Sequence, residues 1–277
     1  MDLGLTRRVA FVAGGSSGLG LAIASELAQE GADVVIGARD PDKLASAESA
    51  LRACGTGRVL ATRLDVEDPA SVREAIAAAV AHMGRLDILV TNNGAPPLGP
   101  PTAFELSEYR AAVDKVLYPA ISLALAALPH MRAARWGRLL FIASETVHRP
   151  VEHLTLSGVG RSGIVRFAEA LVAELRGTGV TVNVLAPAYL RTRPVDRAAA
   201  ELAARHGGTV EDQVRAMAEH IPVGRVGDPR ELAAVAAFLA SERASFVTGT
   251  VQLIDGGASV VGAQPRHHAQ LSRNAFV

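Results

Sequence analysis

The feature that most constrains this chain is an alternation. Short runs of β-branched residues recur along it, separated by longer segments rich in Ala, Leu, Glu and Arg. Residues 9–13, 33–38, 59–64, 86–91, 139–143, 180–185 and 251–254 read as seven strands. Several carry no polar alternation, which suits strands covered on both faces. Between them, residues 18–30, 41–53, 69–83, 107–135, 158–176 and 229–240 read as helices. Asp68-Pro69 and Asp228-Pro229 each offer an N-cap followed by proline at the first helical position. Strand–helix alternation of this kind predicts an α/β fold, a doubly wound parallel sheet with right-handed crossovers and helices on both faces. Among the 277 residues, 49% are hydrophobic, enough for a large core. No repeat, low-complexity tract or linker interrupts the pattern, so residues 1–277 are expected to form one domain.

Charge narrows the functional classes. Lys and Arg total 28, as do Asp and Glu, which argues against a nucleic-acid or polybasic membrane surface. The longest apolar run, 120–128, falls well short of the ~20 residues of a membrane helix. The run at 9–13 is too short for a secretory signal. A single cysteine, Cys54, excludes an internal disulfide and points to a reducing, cytoplasmic setting. Lys43 and Lys115 are the only lysines.

Two segments stand outside the alternation. In 193–221, Val195, Ala199 and Leu202, then Val210, Val214, Met217 and Ile221, recur at helical spacing, with His206-Gly207-Gly208 between the groups. This predicts two short amphipathic helices, placed as a substrate lid. The tail 258–277 is polar; its His267-His268 pair is read as solvated rather than metal-binding.

Residues 10–20, "AFVAGGSSGLG", join the first strand to the first helix. Gly14, Gly18 and Gly20 are spaced Gly-x-x-x-Gly-x-Gly, with Ser16, Ser17 and Leu19 between them. Such a turn brings backbone N–H groups against a pyrophosphate, and the helix N-terminus favours its charge. This is the entrance to a Rossmann-type fold.

With this turn, Asp65-Val66, Asn92-Asn93-Gly94-Ala95, Ser144, Pro187-Ala188 and Asp255-Gly256-Gly257 follow successive strands. Over residues 5–257 the chain therefore resembles the short-chain dehydrogenase/reductase family. The resemblance implies a nicotinamide dinucleotide, with Asp65 and Val66 beside adenine, Asn92 beside its ribose, and Leu190 and Thr192 near the carboxamide. Gly94 and Pro187 belong to the same cofactor-binding motifs. It also implies a homotetramer or homodimer, through the fourth and fifth helices. At the end of the second strand, Ala38 replaces the acid that an NAD site uses for the ribose 2′-hydroxyl. Arg39 beside it suits a 2′-phosphate. NADP(H) is therefore the expected cofactor.

The catalytic segment departs from the family. Ser144 matches the family serine. The family's Tyr-x-x-x-Lys falls on "SGVGR", Ser157 to Arg161, and its helical Asn falls on Val116. Serine donates hydrogen bonds but is a poor acid, and arginine stays charged. Arg161 is expected to hold ribose hydroxyls or an oxyanion. His148, His153 and Tyr189 are candidate replacement acids. Lys115 and Tyr118 are assigned to the long fourth helix and given less weight. The leading expectation is NADPH-dependent reduction of a carbonyl or conjugated enone of a small, largely apolar metabolite. A cofactor-bound isomerase, dehydratase or cyclase, and a catalytically silent binding protein, are the alternatives.

Overall fold

The computed structural model describes residues 1–261. Its seven strands are β1 (Val9–Ala13), β2 (Asp33–Ala38), β3 (Val59–Arg63), β4 (Ile88–Thr91), β5 (Gly137–Ile142), β6 (Val180–Pro187) and β7 (Val251–Ile254). All pair in parallel, in the order β3-β2-β1-β4-β5-β6-β7. The winding reverses between β1 and β4, which opens a crevice beyond their carboxyl ends. Within β1, Phe11 faces one core while Ala10 and Val12 face the other. Both sides of each central strand are therefore apolar, and the alternation is lost from the sequence but kept in the structure.

The helices are α1 (Gly18–Gln29), α2 (Pro41–Cys54), α3 (Pro69–Met83), α4 (Leu106–Ala134), α5 (Thr155–Glu174), α6 (Arg193–His206), α7 (Val210–Ala218), α8 (Pro229–Ala240) and α9 (Ala258–Val261). α3, α4 and α5 cover one face of the sheet; α1, α2 and α8 cover the other. Asp40, Asp68 and Asp228 each cap a helix whose first residue is proline, with the carboxylate accepting from backbone N–H groups. Each such cap contributes about 1 kcal/mol.

α4 is the longest helix, 29 residues. By length and composition it is apolar enough to cross a membrane, although no single uninterrupted run is. Its buried residues, among them Val116, Ala120, Leu123 and Leu128, belong to the core beneath the sheet. α5 also begins earlier than the glycines suggested, at Thr155, immediately after Leu154 pairs with Gly99. Gly160 and Gly163 face α4: a Cβ at Gly160 would stand 2.9 Å from Val116 Cβ, and one at Gly163 2.8 Å from Leu117 Cδ2. Their cost to helix propensity is offset by close approach of the two helices.

α6 and α7 form the two-helix segment after β6, separated at Gly207 and Gly208, both at positive φ. On their apolar faces Leu202 and Val214 are buried, and Met217 is half-buried. At the C-terminal end, α9 occupies the first residues of the predicted tail; His267-His268 lies outside the described residues.

Candidate active site

A cavity of about 540 Å³ lies at the switch point. Gly14, Ser16, Ser17, Gly18 and Leu19 form its floor. The turn requires its glycines. Gly14 has φ +62°, and a Cβ there would meet Asn92 Nδ2 at 2.8 Å. Gly18, φ +55°, has nothing within 4 Å of a Cβ position and opens onto the cavity. Gly20 plays a packing part: a Cβ would stand 2.2 Å from the Gly14 carbonyl oxygen, so the first turn of α1 closes on the loop only with glycine there. The result is a set of backbone N–H groups and an open helix N-terminus, the chemistry that receives a pyrophosphate. These residues fit a dinucleotide.

At the end of β2, Ala38, Arg39, Asp40 and Lys43 line the cavity. Asp40 is the nearest acid, but its carboxylate is occupied. Oδ1 accepts from the N–H groups of Asp42 and Lys43, and Oδ2 pairs with Lys43 Nζ at 2.7 Å. The lysine hydrogen bond holds this carboxyl below its ordinary range. Arg39 is exposed on the same rim.

Arg161 enters the cavity from α5, beside Ile142 and Ala143. Its Nε donates to Ser157 Oγ at 3.0 Å and its Nη1 to the Ile142 carbonyl at 3.0 Å. Both side chains are buried. Burial pushes the guanidinium down to about 10, still cationic at neutral pH. No carboxylate is paired with it among the described residues. Ser157 sits inside the first turn of α5, so it is not the N-cap, which is Leu154. Accepting from Arg161 leaves the Ser157 O–H free to donate.

The other predicted residues divide. Val66, Asn92, Gly94 and Thr192 line the cavity with Arg39 and Arg161. Gly20, Asp65, Pro187 and Leu190 are not among the lining residues. Asp65 accepts from the Glu67 N–H in its own turn. Leu190 is buried in the core and pairs with Gly227. Ser144 ends β5 and accepts from the Thr146 N–H at 3.4 Å, next to the start of α5 but outside the dinucleotide cavity.

The candidate acids are scattered. His148 is exposed at the end of a short 3-10 turn. His153, at φ +63°, lies 3.2 Å from the Glu152 carboxylate. Tyr189 has φ +52° and packs with Ala218, Ile221 and Ala258, away from the cavity. Its hydroxyl is buried near Arg149 in a geometry too poor for a hydrogen bond. Burial, then the Glu145 carboxylate, pushes it up to about 12. None of these three candidates meets Arg161.

Sequence reasoning missed Lys43, Glu67, Asn93 and Lys115, which also line the cavity. Lys43 stands four residues after Arg39 in the first turn of α2, a readable signal. Lys115 carried none, since its placement depends on how α4 crosses the loop after β4.

Crevice, phosphate turn and doubly wound sheet together define a dinucleotide-binding protein of the Rossmann type. The family model described as enoyl-(acyl carrier protein) reductase matches residues 13–259. The chain belongs to the short-chain dehydrogenase/reductase family. It is 35% identical over 264 residues to oxidoreductase UcpA of Escherichia coli K12, covering 92% of this chain and 96% of UcpA. It is 34% identical over 264 residues to cis-4-hydroxycyclohexanecarboxylate dehydrogenase of Sinomonas cyclohexanicum, covering 94% and 100%. L-sorbose reductase from Gluconobacter frateurii, crystallised with NADPH and L-sorbose, superposes with a TM-score of 0.89 at 32% identity, over 93% of this chain and 98% of that one.

Proposed function

We propose that the protein is an NADPH-dependent reductase of a conjugated enone or carbonyl, working through fixed hydrogen-bond donors and a fixed charge. One observation carries this reading: a buried guanidinium, Arg161, is locked by Ser157 and Ile142 yet faces the cavity that receives the dinucleotide. The bound dinucleotide supplies a hydride to the substrate carbon. Arg161 and the Ser157 and Ser144 hydroxyls supply preorganised positive potential and donors for the negative charge that then develops on the substrate oxygen. The arrangement favours an enone. Hydride addition at its β-carbon places the electron pair on an enolate oxygen, and solvent later protonates the α-carbon. A simple ketone instead demands a proton on an alkoxide, which serine supplies poorly. The enoyl-reductase description of the matching family model supports the enone reading.

The cofactor reading rests on the end of β2. Asp40 is already engaged as a helix cap and as the partner of Lys43, so it is a poor acceptor for a ribose 2′-hydroxyl. Arg39 remains to pair with a 2′-phosphate. The NADPH in the L-sorbose reductase crystal is consistent with this choice. Thr192, the N-cap just before the lid, and Pro194 within it line the cavity. On the lid's apolar face Leu202 and Val214 are buried and Met217 is half-buried, and a largely apolar substrate stays part of the proposal. The cytoplasm suits the single cysteine. A dimer or tetramer through α4 and α5 suits the exposed Tyr118, Leu125 and Val159.

The test has two arms. NADPH and NADH are titrated against the wild type and Arg39→Ala, with NADPH the tighter ligand and the gap narrowed in the variant. A panel of enones and ketones is then followed at 340 nm and by product analysis. Equal affinity for both nucleotides overturns the cofactor reading. Substrate conversion without stoichiometric NADPH loss overturns the reductase reading in favour of non-redox chemistry.

A further inference from the structure

The cavity contains a second inward cation to which no role has been given. Lys115 is half-buried on α4, and its side chain lies along the loop after β4. A Cβ at Gly94 would stand 3.2 Å from Lys115 Cε and 3.9 Å from Nζ, so Gly94 is the gap through which the lysine reaches.

The chain builds this placement. Pro119 lies inside α4 and has no N–H, so the Lys115 carbonyl four residues earlier loses its helical donor. Asn93 replaces it: Nδ2 donates to the Lys115 carbonyl at 3.2 Å and to the Val116 carbonyl at 2.6 Å. The loop after β4 is thereby tied to the turn of α4 that carries Lys115. On the opposite side, Gly160 lets α5 press against Val116. The ammonium has no carboxylate partner among the described residues, whereas Lys43 is neutralised by Asp40.

Sheet order gives its position along the cavity. Arg39 and Lys43 stand at β2, Arg161 stands beside β5, and the β4 loop with Lys115 lies between them. A dinucleotide stretched across the switch point has its ribose and pyrophosphate oxygens in that middle stretch.

We propose that Lys115 is a dinucleotide-binding residue, its ammonium meeting the ribose and pyrophosphate oxygens that NADP(H) and NAD(H) share. The inference rests on the dinucleotide reading above. It gives the site a flexible point charge on α4 to accompany the rigid fork on α5. Arg161 is committed to Ser157 and Ile142; Lys115 has all three N–H donors to offer.

The experiment titrates NADPH and NADH into the wild type, Lys115→Ala, Lys115→Arg and Arg39→Ala, following nicotinamide fluorescence at low and high salt. Loss of a charge-assisted contact predicts a rise of about 10-fold or more in Kd for Lys115→Ala. The rise is expected for both nucleotides in similar proportion. Arg39→Ala, by contrast, affects NADPH alone. Lys115→Arg is expected within about 3-fold of the wild type, because a cation of similar reach is kept at the same position. Lys115→Ala is also expected to show a shallower salt dependence. Unchanged affinity for both nucleotides overturns the proposal, as does a loss confined to NADPH. A wild type that binds neither nucleotide overturns the dinucleotide reading with it; normal wild-type binding with an indifferent Lys115→Ala overturns only the role of Lys115. If Lys115→Ala melts before titration, Lys115→Gln is used against the same criteria.

Discussion

Arg161→Met separates a functional arginine from a structural one. In the folded chain this guanidinium is buried, with a neighbouring hydroxyl and a carbonyl as its partners and no counter-charge among the described residues. Its descent from 12.5 to about 10 corresponds to about 3 kcal/mol spent on keeping it charged there. Methionine removes that cost and fills much of the same volume. It also strands Ser157 Oγ and the Ile142 carbonyl, at about 1–3 kcal/mol each. The opposing terms are of similar size, so urea denaturation of the cofactor-free protein is expected to change by no more than about 2 kcal/mol. Function has no such compensation. Removing one preorganised donor of this kind lowers turnover by roughly 100- to 1,000-fold. The assay pairs urea melts with kcat/KM on the best enone from the panel, at saturating NADPH. Strong destabilisation, about 4 kcal/mol or more, with activity falling in step with the folded fraction, would make Arg161 a structural cation and refute the reasoning. Unaltered turnover in a stable variant would refute it as well.

Tyr189→Phe is expected to leave the pH–rate profile between about pH 6 and 9 unaltered, since the hydroxyl is pushed up to about 12 and lies off the cavity. The sign follows from linkage: a proton held more tightly when folded stabilises the protein fully below about pH 10 and is lost as pH rises toward 12. Alkaline melts of the variant should therefore fall less steeply over that range, and a new acidic limb in its rate profile would count against the assignment. Gly160→Val, which must displace Val116 across a 2.9 Å gap, is expected to lose about 1–3 kcal/mol in urea melts. An unchanged midpoint would refute the close contact of α4 and α5 at this glycine.

Much of the fold was legible because hydrophobic period and turn chemistry are local. The seven strands, the Asp-Pro helix starts and the Gly-x-x-x-Gly-x-Gly turn are each decided within a few residues, where backbone sterics and capping act. The replacement of Tyr-x-x-x-Lys by Ser157 and Arg161 was equally plain. What needed the tertiary structure was direction. Leu202, Val214 and Met217 form one apolar stripe in sequence, but the fold buries the first two and leaves Met217 half-buried. Tyr189 lies three residues before Thr192 of the cavity, yet its left-handed backbone accompanies a ring packed with Ile221 and Ala258. Asp40 resembles a ribose acceptor until its oxygens are seen to be engaged by α2. Lys115 is the converse case. A residue on a long helix becomes part of the cavity because Pro119 frees a carbonyl and Asn93, 22 residues earlier in the chain, takes it. Local sequence determined which elements form and which chemistry is present. Only packing decided which side chains share the cavity, because that depends on contacts between segments that the chain brings together late.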